Sequence, residues 1–258
     1  MLRRLMERRF HCTVCGKCCY GKLPLTLNDA IANAGRFPLA MFWTAVRQGA
    51  KSFEITARLG ATATLLNRKK IALQITPVAY LPPLFPCPAL SPDGRCAIHA
   101  DRPLRCRAMP FYPFREESDQ VDMLVPRKGW DCDTSANAPV VYRDRKVVHR
   151  GDFDRERQGL IDQASIVRAY ADSLMANAPN VAMAVEKAAR KRHGGHVVLN
   201  FTGILPKLSN IDAPSFARKQ LPVLSGYADR TAGTSELKEF HEYYGNCATG
   251  MKRLLERR

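Results

Sequence analysis

Cys12-Thr-Val-Cys15-Gly-Lys-Cys18-Cys19 sets four thiols within eight residues. Cys87, Cys96, Cys106 and Cys132 follow, so eight of the nine cysteines fall within the first 132 residues, and Cys247 stands apart. Thiolates are soft, strongly donating ligands, and cysteines spaced in this way usually hold zinc or an iron–sulfur centre. A region built on such a stretch is expected to be irregular and organised by what its sulfurs bind.

The spacing carries the chemistry. Cys-x2-Cys lets two sulfurs converge on one ion while the amides between them point at the thiolates. Gly16 supplies the tight backbone that the turn needs. Cys12-x2-Cys15-x2-Cys18 matches part of the ferredoxin-type run. Adjacent side chains in an extended segment point to opposite sides, so Cys18 and Cys19 fit one tetrahedral ion poorly, and one of them is expected to face a second centre. Eight cysteines are also twice the four that one closed zinc or cubane site takes. The residues point to two centres, or to one multinuclear centre with distant ligands.

Further segments carry a family likeness. Phe10-His-Cys-Thr-Val-Cys-Gly-Lys-Cys-Cys-Tyr-Gly21, Cys87-Pro-Ala-Leu90, Gly94-Arg-Cys-Ala-Ile-His99 and Arg102-Pro-Leu-Arg-Cys-Arg107 with Pro110-Phe111 occur in a specific order. Together they resemble the YkgJ-type CxxCxxCC cysteine-cluster family, described as zinc- or iron-chelating. The resemblance spans residues 10–132. It implies that Cys12, Cys15, Cys18, Cys19, Cys87, Cys96, Cys106 and Cys132 are the metal ligands, with Cys247 outside the set. The cluster is also similar to that of flagellin lysine N-methylases, which implies an iron–sulfur centre, although the last hundred or so residues carry no motif of those enzymes. A [4Fe-4S] cluster and Zn2+ both suit the donors. The ferredoxin-like run favours the cluster, and the Cys-x2-Cys-Gly knuckle, which zinc ribbons share, keeps zinc open.

Composition narrows the function classes. No run of eighteen apolar residues marks a transmembrane helix. The first ten residues have charge but no apolar core or cleavage site, which reads as a cytoplasmic protein. An odd cysteine count in a reducing compartment favours metal over disulfides. The formal charge is +16, with 24 Lys and Arg against 12 Asp and Glu in residues 1–150. That excess suits an acidic partner protein or nucleic acid. It also screens thiolates, because Lys17, Arg95, Arg102, Arg105 and Arg107 all sit close to cluster cysteines in sequence. Three functions are therefore carried forward: a metal-binding protein, a protein-modifying enzyme related to lysine N-methylases, and a basic zinc module that binds nucleic acid. No Gly-rich cofactor loop, HExxH or nucleophile–base pattern supports catalysis. His99 reads as a packing residue rather than a ligand. Arg107 reads as tying a loop through carbonyls, Trp130 as sealing the site from water, and His193 as part of a helix end.

The fold class expected is α+β: an irregular cysteine-cluster domain over residues 1–150 with short strands and helices, then a mostly helical region over 151–258. Thr26 should cap a helix reaching Ala34. Residues 38–48 read as a second helix. Residues 52–58, 70–76, 121–125 and 139–148 read as strands. A long helix or helix pair should fill 154–192, followed by a strand at 196–201. Residues 206–233 read as broken by Pro, Gly and Ser, and Ser235 should open the last helix.

Overall fold

The computed structural model describes residues 7–191, 194–209 and 211–256. His193, read above as part of a helix end, lies outside them. The larger sheet holds β2 (Leu23–Pro24), β3 (Leu39–Arg47), β4 (Ala61–Thr64), β5 (Lys70–Ala79) and β8 (His196–Asn200), ordered β2-β5-β3-β8 with β4 also on β5. Every pairing in it is antiparallel. The smaller sheet is β1 (Glu7–Arg9), β6 (Val140–Arg143) and β7 (Lys146–Val147).

β3 corrects the expected helix over residues 38–48. Met41, Trp43 and Ala45 are buried at alternate positions, which is the period of a strand. Both edges of β3 are also satisfied, since Trp43 pairs with Ile75 on one side and Val197 on the other. Ladder pairing and two-sided burial override a helix propensity that is a weak prior by comparison. The expected strand over 52–58 is helix α2 (Phe53–Leu59), which packs Ile55 and Leu59 into a small cluster with Phe114 and Leu160. At its end, a Cβ on Gly60 would lie 2.1 Å from the Leu73 carbonyl oxygen, so only glycine lets α2 end against β5. Residues 121–124 form a 3-10 turn, not a strand.

Other expectations match. Thr26 and Asp29 form a reciprocal cap on α1 (Leu27–Ala32). The short helix α3 (Leu104–Arg107) lies among the cysteines. Residues 151–190 are the pair α4 (Gly151–Asn177) and α5 (Pro179–Arg190), parted where Pro179 opens the second helix. Residues 213–231, expected to be broken, instead form the helix α6 (Ala213–Thr231), with Asp212 capping it and Pro222 inside. A 3-10 turn from Ser235 to Leu237 leads into α7 (Lys238–Glu256). No helix among the described residues is long and apolar enough to cross a membrane.

The sheets and helices share one main core. Trp43 meets Tyr170 of α4 edge-on at 5.6 Å. Gln220 of α6, fully buried, accepts from Leu39 N–H at 3.1 Å and donates to the Phe37 carbonyl at 2.7 Å and to that of Ala34. Tyr244 of α7 donates to the Tyr80 carbonyl at 2.6 Å. A second, smaller core under the three-stranded sheet gathers Phe10, Phe111, Leu124, Tyr142, Val147 and Phe153.

This layout positions the cysteines. The 12–19 knuckle is strung between the sheets: β1 of the smaller sheet enters it, and β2 of the larger sheet leaves it. Residues 131–133 approach it from the first side and the Pro-rich loop after β5 from the second.

Candidate metal centre

On the first side, the ladder of β1 and β6 runs on toward the knuckle. Phe10 N–H donates to Pro139, and His11 and Asp133 exchange both backbone hydrogen bonds, at 2.8 and 3.0 Å. In an antiparallel pair the next residues, Cys12 and Cys132, then stand opposite each other in a non-hydrogen-bonded position, where side chains approach most closely. The Thr13 hydroxyl donates to the Asp131 carbonyl at 3.0 Å, holding the register one step further. Cys132 rests on the smaller core.

On the second side, Tyr20 and Pro86 form an antiparallel bridge, and Cys87 N–H donates to the Cys19 carbonyl at 2.7 Å. Cys19 and Cys87 are therefore cross-strand neighbours. A turn closed by Leu90 N–H on Cys87, and the Leu90–Cys96 bridge, return Cys96 toward Cys87. The Ala89 N–H donates to the Cys87 sulfur, the amide-to-thiolate contact that orients a ligand. Cys87 rests on the main core.

Cys106 comes from α3, which is tied on three sides. Leu104 N–H donates to the Asp29 carboxylate at 3.2 Å, so the cap of α1 also holds the start of α3. Arg107 donates to the Arg102 carbonyl at 3.0 Å and to that of Ala100 at 2.6 Å, the loop-tying role expected of it. Arg105 turns inward, donates to the Phe111 carbonyl and meets Glu156 of α4 at 3.1 Å, both side chains being almost fully buried. Its charge still favours the Cys106 thiolate, as its place beside that cysteine suggests.

The knuckle itself is strained. Val14 has φ +58°, an uncommon conformation for a β-branched residue, and Gly16 has φ +68°. A methyl group at Gly16 would lie 2.7 Å from the Gly94 carbonyl oxygen. The knuckle seats on the Pro92–Gly94 turn through that close approach. Gly16→Ala is expected to part the two loops at a cost of about 1–3 kcal/mol. Denaturant unfolding measures the cost, and faster loss of bound metal to a chelator should accompany it.

The thiols influence one another electrostatically. Cys19 donates to Cys18, which lowers Cys18 to about 6 with help from its own backbone amide and Arg102, so Cys18 stands largely as a thiolate at neutral pH. The same hydrogen bond raises Cys19, along with burial and the fields of Cys18, Cys87 and Cys106. Burial, then the fields of Cys87, Cys18 and Cys96, push Cys106 up to about 12. Cys132 is raised by burial and then by Cys15, Cys12 and Cys18. A cation bound among these sulfurs reverses the repulsion that holds their protons on. The donor set is all sulfur and fits a thiophilic metal. Among the described residues, no three Cys, His, Asp or Glu side chains already stand in ion-holding geometry. Binding must therefore draw the sulfurs inward.

A family model described as "CxxCxxCC: Putative zinc- or iron-chelating domain" matches residues 11–128. Over those residues the chain is similar to that family. No curated protein and no solved structure matches the chain. The match stops short of Cys132, which the His11–Asp133 bridge nevertheless brings to the CxxCxxCC knuckle. Cys247 is buried in α7, in the main core. His99 is exposed and its ring faces the Arg102 guanidinium. Trp130 is half-buried beneath Arg127, 5.3 Å from its ring.

Sequence reading missed Glu156. Burial raises it from the ordinary 4.5 to about 7, against the opposing pull of Arg105. Between those values the folded chain holds a proton that the unfolded chain has released. The stability this provides is complete below about pH 4 and is lost as the pH rises to about 7. The stability of the native protein minus that of Glu156→Gln should therefore fall with pH across this window. A flat difference in paired denaturant melts would refute the assignment.

Proposed function

We propose that this chain is an iron–sulfur protein of a reducing compartment, its CxxCxxCC domain holding iron through Cys12, Cys15, Cys18, Cys19, Cys87, Cys96, Cys106 and Cys132. One observation carries the reading: four of these thiols form the knuckle, and backbone bridges bring Cys132 to one of its ends and Cys87 with Cys96 to the other, while the ninth cysteine is sequestered in the main core. The Cys12-x2-Cys15-x2-Cys18 run, part of the ferredoxin-type pattern, favours iron–sulfur over zinc. Such a centre supplies one-electron chemistry or a tight structural tie when bound. The chain's own residues orient the thiols and favour the thiolate form of Cys18.

The test is the composition of protein isolated without oxygen. Iron with comparable acid-labile sulfide and a broad visible band is expected. Zinc without sulfide would overturn the iron–sulfur assignment while leaving chelation intact. Neither metal in soluble, folded protein would overturn both.

A further inference from the structure

We infer that the cysteines form two separate four-thiolate centres: an outer one of Cys12, Cys15, Cys18 and Cys132, and an inner one of Cys19, Cys87, Cys96 and Cys106. The inference rests on the metal-binding reading above and divides its ligands. The two ends of the knuckle are held by different backbone ladders. The ladder from the smaller sheet sets Cys12 opposite Cys132, and the ladder from the larger sheet sets Cys19 beside Cys87. The two sets also rest on different cores, with Cys132 packed on the smaller one and Cys87 on the main one. Cys96 joins the inner set through the Leu90–Cys96 bridge. The boundary falls between Cys18 and Cys19, because Cys19 is the knuckle residue that the larger sheet's ladder holds.

The centres differ in access. Cys12 and Cys18 are exposed, and Cys15 and Cys132 are half-buried. None of the four inner cysteines is exposed. The outer centre is the one a chelator or an acceptor protein reaches, and the inner one is retained.

Full-length protein isolated without oxygen tests this with Cys12→Ser, Cys132→Ser, the double variant Cys12→Ser/Cys132→Ser and the double variant Cys132→Ser/Cys87→Ser. Metal per chain and the time course of its removal by chelator are measured on each. In metal-free protein, disulfides formed on mild oxidation are mapped by mass spectrometry, a readout independent of loading. Both single variants and the first double variant should keep about half of the native metal and lose the fast chelation phase, because two ligands of one centre are removed no more than once. The second double variant should keep none. Oxidation should join Cys12 to Cys132 and Cys19 to Cys87. Full metal in Cys132→Ser, complete loss in the first double variant, or disulfides joining Cys12 or Cys132 to the inner set would overturn the division. Native protein that binds no metal at all would count instead against the preceding reading, and the disulfide map would still decide the pairing.

Discussion

Cys106→Ser lowers the melting temperature of the anaerobically isolated protein by about 10 °C and removes about half of its metal. The size follows from linkage. A ligand held only by the folded state, and present a thousandfold above its dissociation constant, stabilises that state by about 4 kcal/mol. In a chain of this length each kcal/mol moves the midpoint by about 2–4 °C. The effect is concentrated at Cys106 because α3 depends on what surrounds it. That helix is only four residues long, and its flanking contacts reach α1 through Asp29 and α4 through Glu156. The serine placed there cannot ligate as a thiolate does, and it sits where α1 and α4 are joined through α3. The corresponding change at exposed Cys12 should have a smaller thermal effect. Calorimetry with metal analysis on the same samples checks both. An unchanged midpoint with full metal would remove Cys106 from the ligand set.

Arg105→Ala destabilises the fold by about 3–5 kcal/mol, the usual cost of stripping one partner from a buried ion pair. The guanidinium and carboxylate meet at 3.1 Å with side chains 7% and 4% exposed, so removing the arginine strips a buried pair of one partner. The Phe111 carbonyl also loses its donor. Glu156, already raised to about 7, then takes up a proton, and the penalty is the lost pairing and packing. Glu156→Gln alone leaves a buried guanidinium that cannot lose its charge, so Arg105→Ala/Glu156→Gln should cost clearly less than the sum of the two single changes. Denaturant unfolding of the three variants gives the coupling. Additive losses would mean that the pair does not interact in the folded protein. Metal retention gives a second readout: Arg105→Ala should shed metal faster, because Cys106 is the next residue and α3 loses its inward anchor.

The site was far more legible in the sequence than the scaffold. Cysteine spacing is local chemistry, and Cys-x2-Cys-Gly announces its turn with only neighbouring residues. Residues 38–48 were misread because Leu39–Arg47 is apolar on both faces, and an apolar run paired on both edges carries no helix-or-strand period of its own. α6 was hidden by Pro214 and Pro222, although the first of these sits in a helix's opening turn, where proline is at home. The buried pairing of Arg105 was not legible because its partner Glu156 is 51 residues further along the chain. Nothing near Glu156 in sequence marks it as buried. Cys132 was the most distant member of the cysteine groups in sequence, and the backbone bridge one residue beyond it gives a physical reason to include it.

X-ray absorption at the metal edge of anaerobically isolated protein is the most direct measurement. The account predicts iron in a first shell made wholly of sulfur, from cysteine and bridging sulfide, with no nitrogen or oxygen ligand. A first shell containing nitrogen or oxygen, or folded protein with no metal edge to record, would contradict it.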